Sequence, residues 1–333
     1  MNKTRILSVD GGGIKGIVPA VVLFHLENHL KQLTNNPNSR IHDYFDLFSG
    51  ASTGAIIIAG LLSPDSHNRP KYSAEEIIEL YIENGNIIFD SSIFQDIKSV
   101  SGLVNVKYDS KGLESVFNKY FGNSELKDLL KPTLIPVYDL SRGKNYFFRQ
   151  QKAQSSARHN YYVRDILRGA TSAITYFPPA QISTVDQKEQ RCFIDGGVFA
   201  NNPALSAYAE FRYHNSELHA EDTMMLSIGT GRKSTHLDCE ITASWGAAEW
   251  IYQGSYLTSN AISSVSDYQL NAVYDSSSNY LRLDASFDDS HSSSMDNTDK
   301  EYLDYLISLG ESIASERQSE MKDFAEKLIK NSN

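Results

Sequence analysis

Two short apolar runs near the start of the chain each lead into a glycine-rich turn and then into a stretch of helical spacing. Residues 5–9 form a strand candidate, and the Asp-Gly-Gly-Gly sequence at 10–13 separates it from a helical pattern. Residues 44–48 are followed by a turn around Ser52 and by the isoleucine-rich run 55–62, which is typical of a helix buried on most sides. This alternation predicts an α/β fold with a mainly parallel central sheet flanked by helices on both faces. Such sheets bind ligands at the carboxyl ends of their strands, where these turns lie.

The alternation continues to about residue 230, and the remainder of the chain is predicted to be mostly helical. Further strand candidates are 133–140, 145–150, 191–195 and 223–228. Ser73 predicts the N-cap of a helix that Gly85 ends. The helical part, 240–333, contains a Ser/Asp-rich stretch at 275–302, which predicts a solvated connection with a short strand candidate at Tyr280–Leu283. We expect a single domain over 1–333, with 240–333 packed on it.

The charge and the cysteine content narrow the classes of function. A net charge of -10 argues against nucleic acid as a partner and against anionic membranes held by broad electrostatic attraction. The longest apolar run, 55–62, is shorter than the ~20 residues of a membrane span. The two cysteines have no metal-type spacing, and no metal pattern is present, so we predict no metal. Without a signal peptide, we expect a cytoplasmic protein that acts at membranes, or one exported by another route.

Gly50-Ala51-Ser52-Thr53-Gly54 is a G-x-S-x-G sequence in a strand–turn–helix setting. Gly50 and Gly54 permit the strained turn of a nucleophile elbow, which exposes the serine hydroxyl and lets strand and helix pack closely. The alternative is a serine in a tight turn without a catalytic role. The setting favours Ser52 as a nucleophile.

A second glycine-rich turn, from Asp10 to Gly16, lies at the first strand–helix junction. Its spacing fits neither the G-x-G-x-x-G of a dinucleotide site nor the G-x-x-x-x-G-K-[ST] of a P-loop. Backbone N–H groups at a helix start stabilise negative charge, so we interpret the turn as an oxyanion hole, worth about 3–4 kcal/mol per donor. A plain structural turn is the alternative.

Asp195, followed by Gly196 and Gly197, ends the strand candidate 191–195. It either projects a catalytic carboxylate into the same crevice or caps a turn by accepting from backbone N–H groups, and a lone D-G-G favours the cap. A histidine base of the α/β-hydrolase kind would have to follow Asp195. The histidines that do follow it lie in polar stretches and are predicted to be solvated: His214, His219, His236 and His291.

Together and in this order, D-G-G-G-x-K-G, G-x-S-x-G and D-G-G resemble the patatin-like phospholipase family. The stretches "ATSAITYFPPA", "DGGVFANNPALSA" and "LSIGTG", and the tail from "YLRLDAS" onward, are similar to patatin sequence, so the resemblance covers nearly all 333 residues. It implies a patatin-like fold, related to the catalytic fold of cytosolic phospholipase A2, with 1–333 as one catalytic domain.

The resemblance also implies the chemistry of the site. Ser52 and Asp195 would form a catalytic dyad without a histidine, and the oxyanion hole would be formed by Gly11, Gly12 and Gly13. Lys15 stands where the family's loop usually has Arg; it keeps the charge but not the planar fork, which weakens its role as an anion contact. The implied reaction is the hydrolysis of acyl esters of membrane phospholipids or galactolipids through an acyl-enzyme, without calcium or a cofactor.

Other functions stay open from the sequence. One is a storage or binding protein with weak esterase activity. Another is a bacterial effector whose lipase activity is switched on by a nucleotide second messenger or a partner protein, and a third is a Ser-His-Asp hydrolase. We expect a membrane lipid substrate, a transient contact with the membrane interface and no nucleic acid partner. Residues 86–108 would form a cap or ordinary core packing, and 176–179 would line an acyl pocket or form a rigid loop.

Overall fold

The computed structural model describes residues 3–90, 106–233, 238–275, 278–288 and 293–332. The described residues form one sheet whose strands are β1 (Thr4–Val9), β2 (Leu47–Gly50), β3 (Thr133–Asp139), β4 (Lys144–Arg149), β5 (Ala180–Ser183), β6 (Gln190–Asp195), β7 (Thr223–Ile228) and β8 (Tyr280–Leu283). The helices are α1 (Ile17–Thr34), α2 (Thr53–Leu62), α3 (Ala74–Ile88), α4 (Lys111–Phe121), α5 (Gln150–Ser155), α6 (Val163–Ala170), α7 (Gly197–Ala200), α8 (Ala204–His214), α9 (Cys239–Thr242), α10 (Ala247–Tyr274), α11 (Lys300–Glu316) and α12 (Gln318–Lys330).

Parallel strands form the middle of the sheet, in the order β3-β2-β1-β7-β8. The central strand β1 pairs with β2 on one side and with β7 on the other. Its residues from Arg5 to Val9 are buried. Strands covered on both faces lack the alternation of apolar and polar residues, which explains the continuous apolar runs in β1 and β7.

Helices cover both faces of this sheet, so successive side chains of β1 enter two different cores. Leu7 packs into the larger core with α1, α2 and α3, whereas Ile6 packs into a smaller core with α8 and α10. The predicted α/β fold is therefore confirmed. The single domain over 1–333 stays a prediction, supported by the packing of α11 and α12 on α1.

The sheet is parallel only in its centre. Thr133 and Leu134 of β3 pair with β2, and the rest of β3 pairs in antiparallel fashion with β4 and β6. In this register Asp195, the last residue of β6, lies opposite Val137, just beyond the level at which β2 ends. Asp195 thus lies at the carboxyl edge of the parallel strands although its own strand runs in the opposite direction. The parallel arrangement that the sequence suggested for this strand is wrong.

Helix α3 begins as predicted and ends later than predicted. The Ser73 hydroxyl accepts a hydrogen bond from the Glu76 N–H, and the Glu76 carboxylate accepts one from the Ser73 N–H, which is a capping box. The helix continues past Gly85 to Ile88. Gly85 packs against Ile14 and Thr298, where an added Cβ would lie 3.1 and 3.2 Å from their side chains. This glycine therefore provides close packing and does not cap the helix.

The strand candidate at Tyr280–Leu283 is confirmed as β8, whereas the solvated connection that we expected for the Ser/Asp-rich stretch is wrong for 280–284. Strand β8 pairs in parallel with β7, and Leu283 is fully buried in the core. The side chains of Arg282 and Asp284 are only 10% and 4% exposed. Their charges can be buried because the two side chains form an ion pair with each other. Hydropathy alone does not reveal polar residues that neutralise one another inside the protein.

Helix α10 spans 28 residues and packs on α7 and α8. Its outer side is exposed at Val265 and Tyr268. Within the described ranges, none of the helices has both the length and the low polarity of a bilayer-spanning segment.

Close packing of α11 on α1 gives a test of the larger core. A Cβ on Gly310 of α11 would lie 2.7 Å from Val21 Cβ and 3.0 Å from the Val18 carbonyl oxygen. We expect Gly310→Ala to lower the free energy of unfolding by about 1–3 kcal/mol, because overpacking outweighs the gain in helix propensity. Urea unfolding measures this difference.

The matched control is Gly254→Ala in α10, where an added Cβ meets no atom of the described residues within 4 Å, the helix's own backbone aside. This change should leave the protein as stable as wild type or stabilise it by up to about 1 kcal/mol. Equal effects of the two substitutions would contradict the packing described for α1 and α11.

Candidate active site

Ser52 lies in the tight turn between β2 and α2. Its backbone has φ 51° and ψ -120°, a conformation that costs a residue with a side chain about 1–3 kcal/mol. A Cβ on Gly50 would collide with the Gly54 carbonyl, and a Cβ on Gly54 would collide with the Val9 carbonyl. The packing of β1, β2 and α2 therefore requires glycine on both sides of Ser52 and holds the serine in its strained conformation.

Asp195 lies beside Ser52 and is 4% exposed. The Ser52 side chain faces the Asp195 carboxyl closely enough to lower the pKa of that carboxyl, and both residues line the same cavity. The Gly197 N–H donates to Asp195 Oδ1 at 2.7 Å, and Gly196 packs against Pro136 of β3. Asp195 thus does both things that the sequence offered as alternatives, because it caps the turn before α7 and also contacts the serine.

Burial raises the pKa of the Asp195 carboxyl to about 6, while the hydrogen bonds with Ser52 and with the Gly197 N–H oppose this increase. None of the described residues forms a salt bridge with Asp195. A carboxylate that is desolvated and lacks a cationic partner is a stronger base than one in water. This environment is typical of a general base.

The glycine-rich turn after β1 lies directly against Ser52, since a Cβ on Gly11 would be 3.1 Å from Ser52 Cβ. The Gly11 N–H is already used, because it donates to the Asn201 carbonyl at 2.9 Å. For the N–H groups of Gly12 and Gly13 we find no acceptor among the described residues. Of the predicted oxyanion donors, these two are therefore available to a ligand, and both glycines line the cavity next to Ser52.

Lys15 lies away from Ser52 and Asp195. Its side chain is 5% exposed and its Nζ lies 5.5 Å from the centre of the Phe287 ring. It lines a small polar pocket behind the glycine-rich turn, together with Asp10 and Asp284, and does not line the cavity at Ser52. The predicted anion contact through Lys15 therefore has no support from this geometry.

A cavity of about 460 Å³ opens from the Ser52–Asp195 pair. Its polar end is formed by these two residues with Gly12 and Gly13, and its walls are mostly apolar, with contributions from Ile56, Ile88, Phe89, Leu113, Tyr176 and Phe177. The segment predicted at 176–179 thus does contribute to the pocket. Of the proposed cap at 86–108, Ile88 and Phe89 line the cavity, and 91–105 lie outside the described residues.

The described histidines do not approach this pair, since none of them lines the cavity. His214 lies on α8 and contacts the Glu210 carboxylate at 3.2 Å, and His219 is near the surface after that helix. His236 and His291 lie outside the described residues. Among the described residues, Asp195 is thus the side chain beside Ser52 that can accept its proton.

Several residues that hold the site were not found from the sequence. Arg282 and Asp284 of the β8 region and Met295 beyond it contact the glycine-rich turn or its supports. Arg282 and Met295 contact the turn across more than 200 residues of chain, and Asp284 contacts Gly231 across 53 residues. No local pattern encodes such contacts. The one signal was the strand candidate at Tyr280–Leu283, whose charged residues suggested solvent instead of a buried ion pair.

Comparisons with known proteins show what this chain is similar to. A family model described as "Patatin-like phospholipase" matches residues 7–208. "Patatin group A-2" from Solanum tuberosum is 32% identical over 332 residues, covering 92% of this chain and 83% of the relative. "Patatin-like protein 4" from Arabidopsis thaliana is 29% identical, covering 94% and 83%. "Probable inactive patatin-3-Kuras 1" from S. tuberosum is 31% identical, covering 95% and 87%.

Among solved structures, that of VipD from Legionella pneumophila is similar with a TM-score of 0.35 and 12% identity, over 94% of this chain and 67% of that chain. The family model covers more than half of this chain, and the plant relatives align along nearly all of it. The family predicted from the three glycine motifs is confirmed. The chain belongs to the patatin-like phospholipase family, whose members at family level are lipid acyl hydrolases.

Proposed function

We propose that this protein hydrolyses the acyl esters of membrane lipids, with Ser52 as the nucleophile and Asp195 as its base. Family membership alone does not decide this, because one relative is named as a probable inactive patatin. The observation that carries the proposal is the position of Ser52 beside a buried Asp195, which has no salt bridge to a described residue, at the polar end of an apolar cavity.

The reaction begins when Ser52 Oγ attacks the ester carbonyl carbon and its proton passes to the Asp195 carboxylate. The N–H groups of Gly12 and Gly13 stabilise the oxyanion. When the carbon–oxygen bond to the leaving alcohol breaks, Asp195 returns the proton to that alcohol. Water then attacks the acyl-enzyme, Asp195 accepts a proton from it, and the proton returns to Ser52 Oγ as the fatty acid leaves.

The cavity favours a long acyl chain as the part of the substrate that is bound. Its volume of about 460 Å³ lies in the range of ~300–1,000 Å³ that is usual for ligand pockets. Each methylene group buried against apolar walls stabilises the bound substrate by about 0.8 kcal/mol. Phospholipids and galactolipids both satisfy this requirement, since the polar head group would lie outside the apolar part. The route uses no divalent cation, and we therefore propose that hydrolysis proceeds unchanged in EDTA.

The mouth of the cavity provides a contact for a lipid interface. Ile174 and Trp250 line the cavity and are 50% and 48% exposed. Trp250 packs edge-on against Trp245, with ring centres 5.0 Å apart, and these are the two tryptophans of the chain. Tryptophan favours the boundary between water and lipid. The net charge of -10 favours zwitterionic or uncharged lipid surfaces over anionic ones.

The first prediction concerns the dyad. We expect Ser52→Ala and Asp195→Asn each to lower kcat for a phospholipid by at least about 10³-fold, because nucleophile and base act as a unit. Fatty-acid release measures the loss, and circular dichroism checks that the fold is retained. His214→Ala is the matched control and should keep wild-type activity. Full activity in either dyad variant would refute the proposed roles.

The second prediction concerns pH. Because the folded-state pKa of Asp195 is about 6, kcat/KM should decrease tenfold per pH unit below about pH 6 as the base becomes protonated. In the unfolded chain the same carboxyl has a pKa of ~3.9, so the ionisation of this one group should lower the stability of wild type by about 2 kcal/mol as the pH rises from 4 to 7.

Asp195→Asn removes that ionisation. The variant should therefore gain stability relative to wild type as the pH rises from 4 to 7. The contributions of the other titratable groups are the same in both proteins and cancel in the comparison. Urea unfolding at the two pH values measures this difference. A difference that does not change with pH would show that Asp195 is not held as a buried, unpaired carboxylate.

The third prediction concerns the interface. Ile174→Asp should lower the hydrolysis of micellar phospholipid by about tenfold more than that of a soluble short-chain ester, since burying an isoleucine contributes ~1.5–3 kcal/mol. Tyr213→Asp, at an 80% exposed position on α8 outside the cavity, is the matched control. Vesicles should also shift the tryptophan fluorescence of the Ser52→Ala protein to the blue. Equal losses on both substrates would argue against insertion at this rim.

A further inference from the structure

A buried ion pair joins the first strand of the sheet to the last. Arg282 of β8 donates two hydrogen bonds to Asp10, from Nη1 to Oδ1 at 2.9 Å and from Nη2 to Oδ2 at 2.7 Å. The two side chains are 10% and 4% exposed. This is the planar, two-bond geometry that arginine forms with a carboxylate and that lysine does not form.

The guanidinium of Arg282 also binds residues other than Asp10. Its Nη1 also donates to Ser227 Oγ at 2.7 Å, and its Nη2 donates to Asp284 Oδ2 at 2.9 Å. Asp284 in turn accepts a hydrogen bond from the Gly231 N–H at 3.1 Å and pairs with Arg232 at 2.9 Å. Burial disfavours the charge of Arg282, but the neighbouring Asp10 and Asp284 more than offset this and hold its pKa above the usual value. The orientation of the guanidinium is thus fixed independently of Asp10.

Asp10 is the residue that begins the glycine-rich turn. Its N–H donates to the Ile228 carbonyl at 3.0 Å, and the next carbonyl, that of Gly11, accepts a hydrogen bond from Thr230 Oγ1 at 2.8 Å. At the far side of the turn, the Ile14 N–H donates to the Met295 carbonyl at 2.8 Å. The turn is therefore held at both ends by distant segments, and Gly12 and Gly13 lie between these fixed points.

We propose that Arg282 is a positioning residue for the hydrolase, which places the N–H groups of Gly12 and Gly13 against the oxyanion through its two-bond contact with Asp10. The inference rests on the proposed function and adds to it the residue that orients the oxyanion donors. Arg282 does not line the cavity at Ser52, and its direct contact with the start of the glycine-rich turn is the one with Asp10.

Two physical facts favour this role over simple stabilisation. A buried ion pair contributes little net stability in comparison with apolar residues, because desolvation offsets its Coulomb attraction. A displacement of about 1 Å in a catalytic group, however, costs on the order of 10²-fold in rate. Burial raises the pKa of Asp10 and Arg282 opposes that increase, so that the net pKa is about 6 and the carboxylate is ionised at neutral pH.

The chain provides a matched control for the test. Arg5 of β1 donates to both oxygens of Asp46, from Nε at 2.8 Å and from Nη2 at 2.7 Å. Neither Arg5 nor Asp46 lines the cavity. Asp46 is 38% exposed and Asp10 is 4% exposed, so Arg282→Lys and Arg5→Lys make the same chemical change in two-bond arginine–carboxylate pairs that differ in burial and in their distance from the site.

The experiment measures kcat, KM and the melting temperature of wild type and of both variants. Each protein is the 333-residue chain, and the substrate is a phospholipid. We expect Arg282→Lys to lower kcat by about 10- to 100-fold with KM changed less than about threefold, because misplaced donors weaken the transition state. Arg5→Lys should retain wild-type kcat. If Arg282→Lys fails to fold, Asp10→Asn removes the same two-bond contact from the other partner, and we expect the same loss of kcat.

Wild-type kcat in Arg282→Lys, or in Asp10→Asn where that variant is used, would overturn the proposal. So would an equal loss of kcat in Arg282→Lys and Arg5→Lys that follows their loss of melting temperature, because stability alone would then explain it. A wild-type protein without lipid hydrolysis would overturn the proposed function and this inference together. An active wild type with an unaffected Arg282→Lys variant would overturn only the inference.

Discussion

The Asp195 carboxyl is buried next to the Ser52 hydroxyl, and among the described residues its partners are that hydroxyl and the Gly197 N–H, with no cation. Burying an ionisable group in this way costs folding free energy, because water solvates the charged form better than the protein does. The same cost makes the carboxylate a stronger base. Ser52 adds a second cost through its strained backbone. The close-packed sheet and its two cores supply the stability that keeps both residues in place.

Asp10 and Asp195 are buried acids at the carboxyl edge of the sheet, and their surroundings differ. Asp10 is matched by Arg282, which also binds Asp284 and Ser227, so that this carboxylate serves as a fixed point for the glycine-rich turn. Asp195 has no such partner in the described chain and stays available for proton transfer. Burial raises the pKa of each to about 6, and the presence or absence of the arginine separates a structural acid from the proposed base.

Local sequence was sufficient for the features that depend on neighbouring residues. The turn at Ser52, the N-cap at Ser73 and the buried helix α2 each follow from a few adjacent side chains. Features set by distant pairing were missed, because no local pattern encodes them. Strand β6 runs antiparallel to β3, and Arg282 meets Asp10 across 272 positions of sequence. The Ser/Asp-rich composition around β8 suggested solvent, since a buried ion pair and a solvated surface use the same residues.

The central claim is that Ser52 attacks the acyl carbonyl of a lipid ester. A fluorophosphonate with a long alkyl chain tests it most directly, because the reagent reacts with an activated serine and its chain occupies the apolar cavity. Peptide mapping by mass spectrometry should find one adduct, on Ser52, with lipid hydrolysis lost in proportion to its formation. A protein that still hydrolyses phospholipid when Ser52 is fully modified, or that carries the adduct on another residue, would contradict the account.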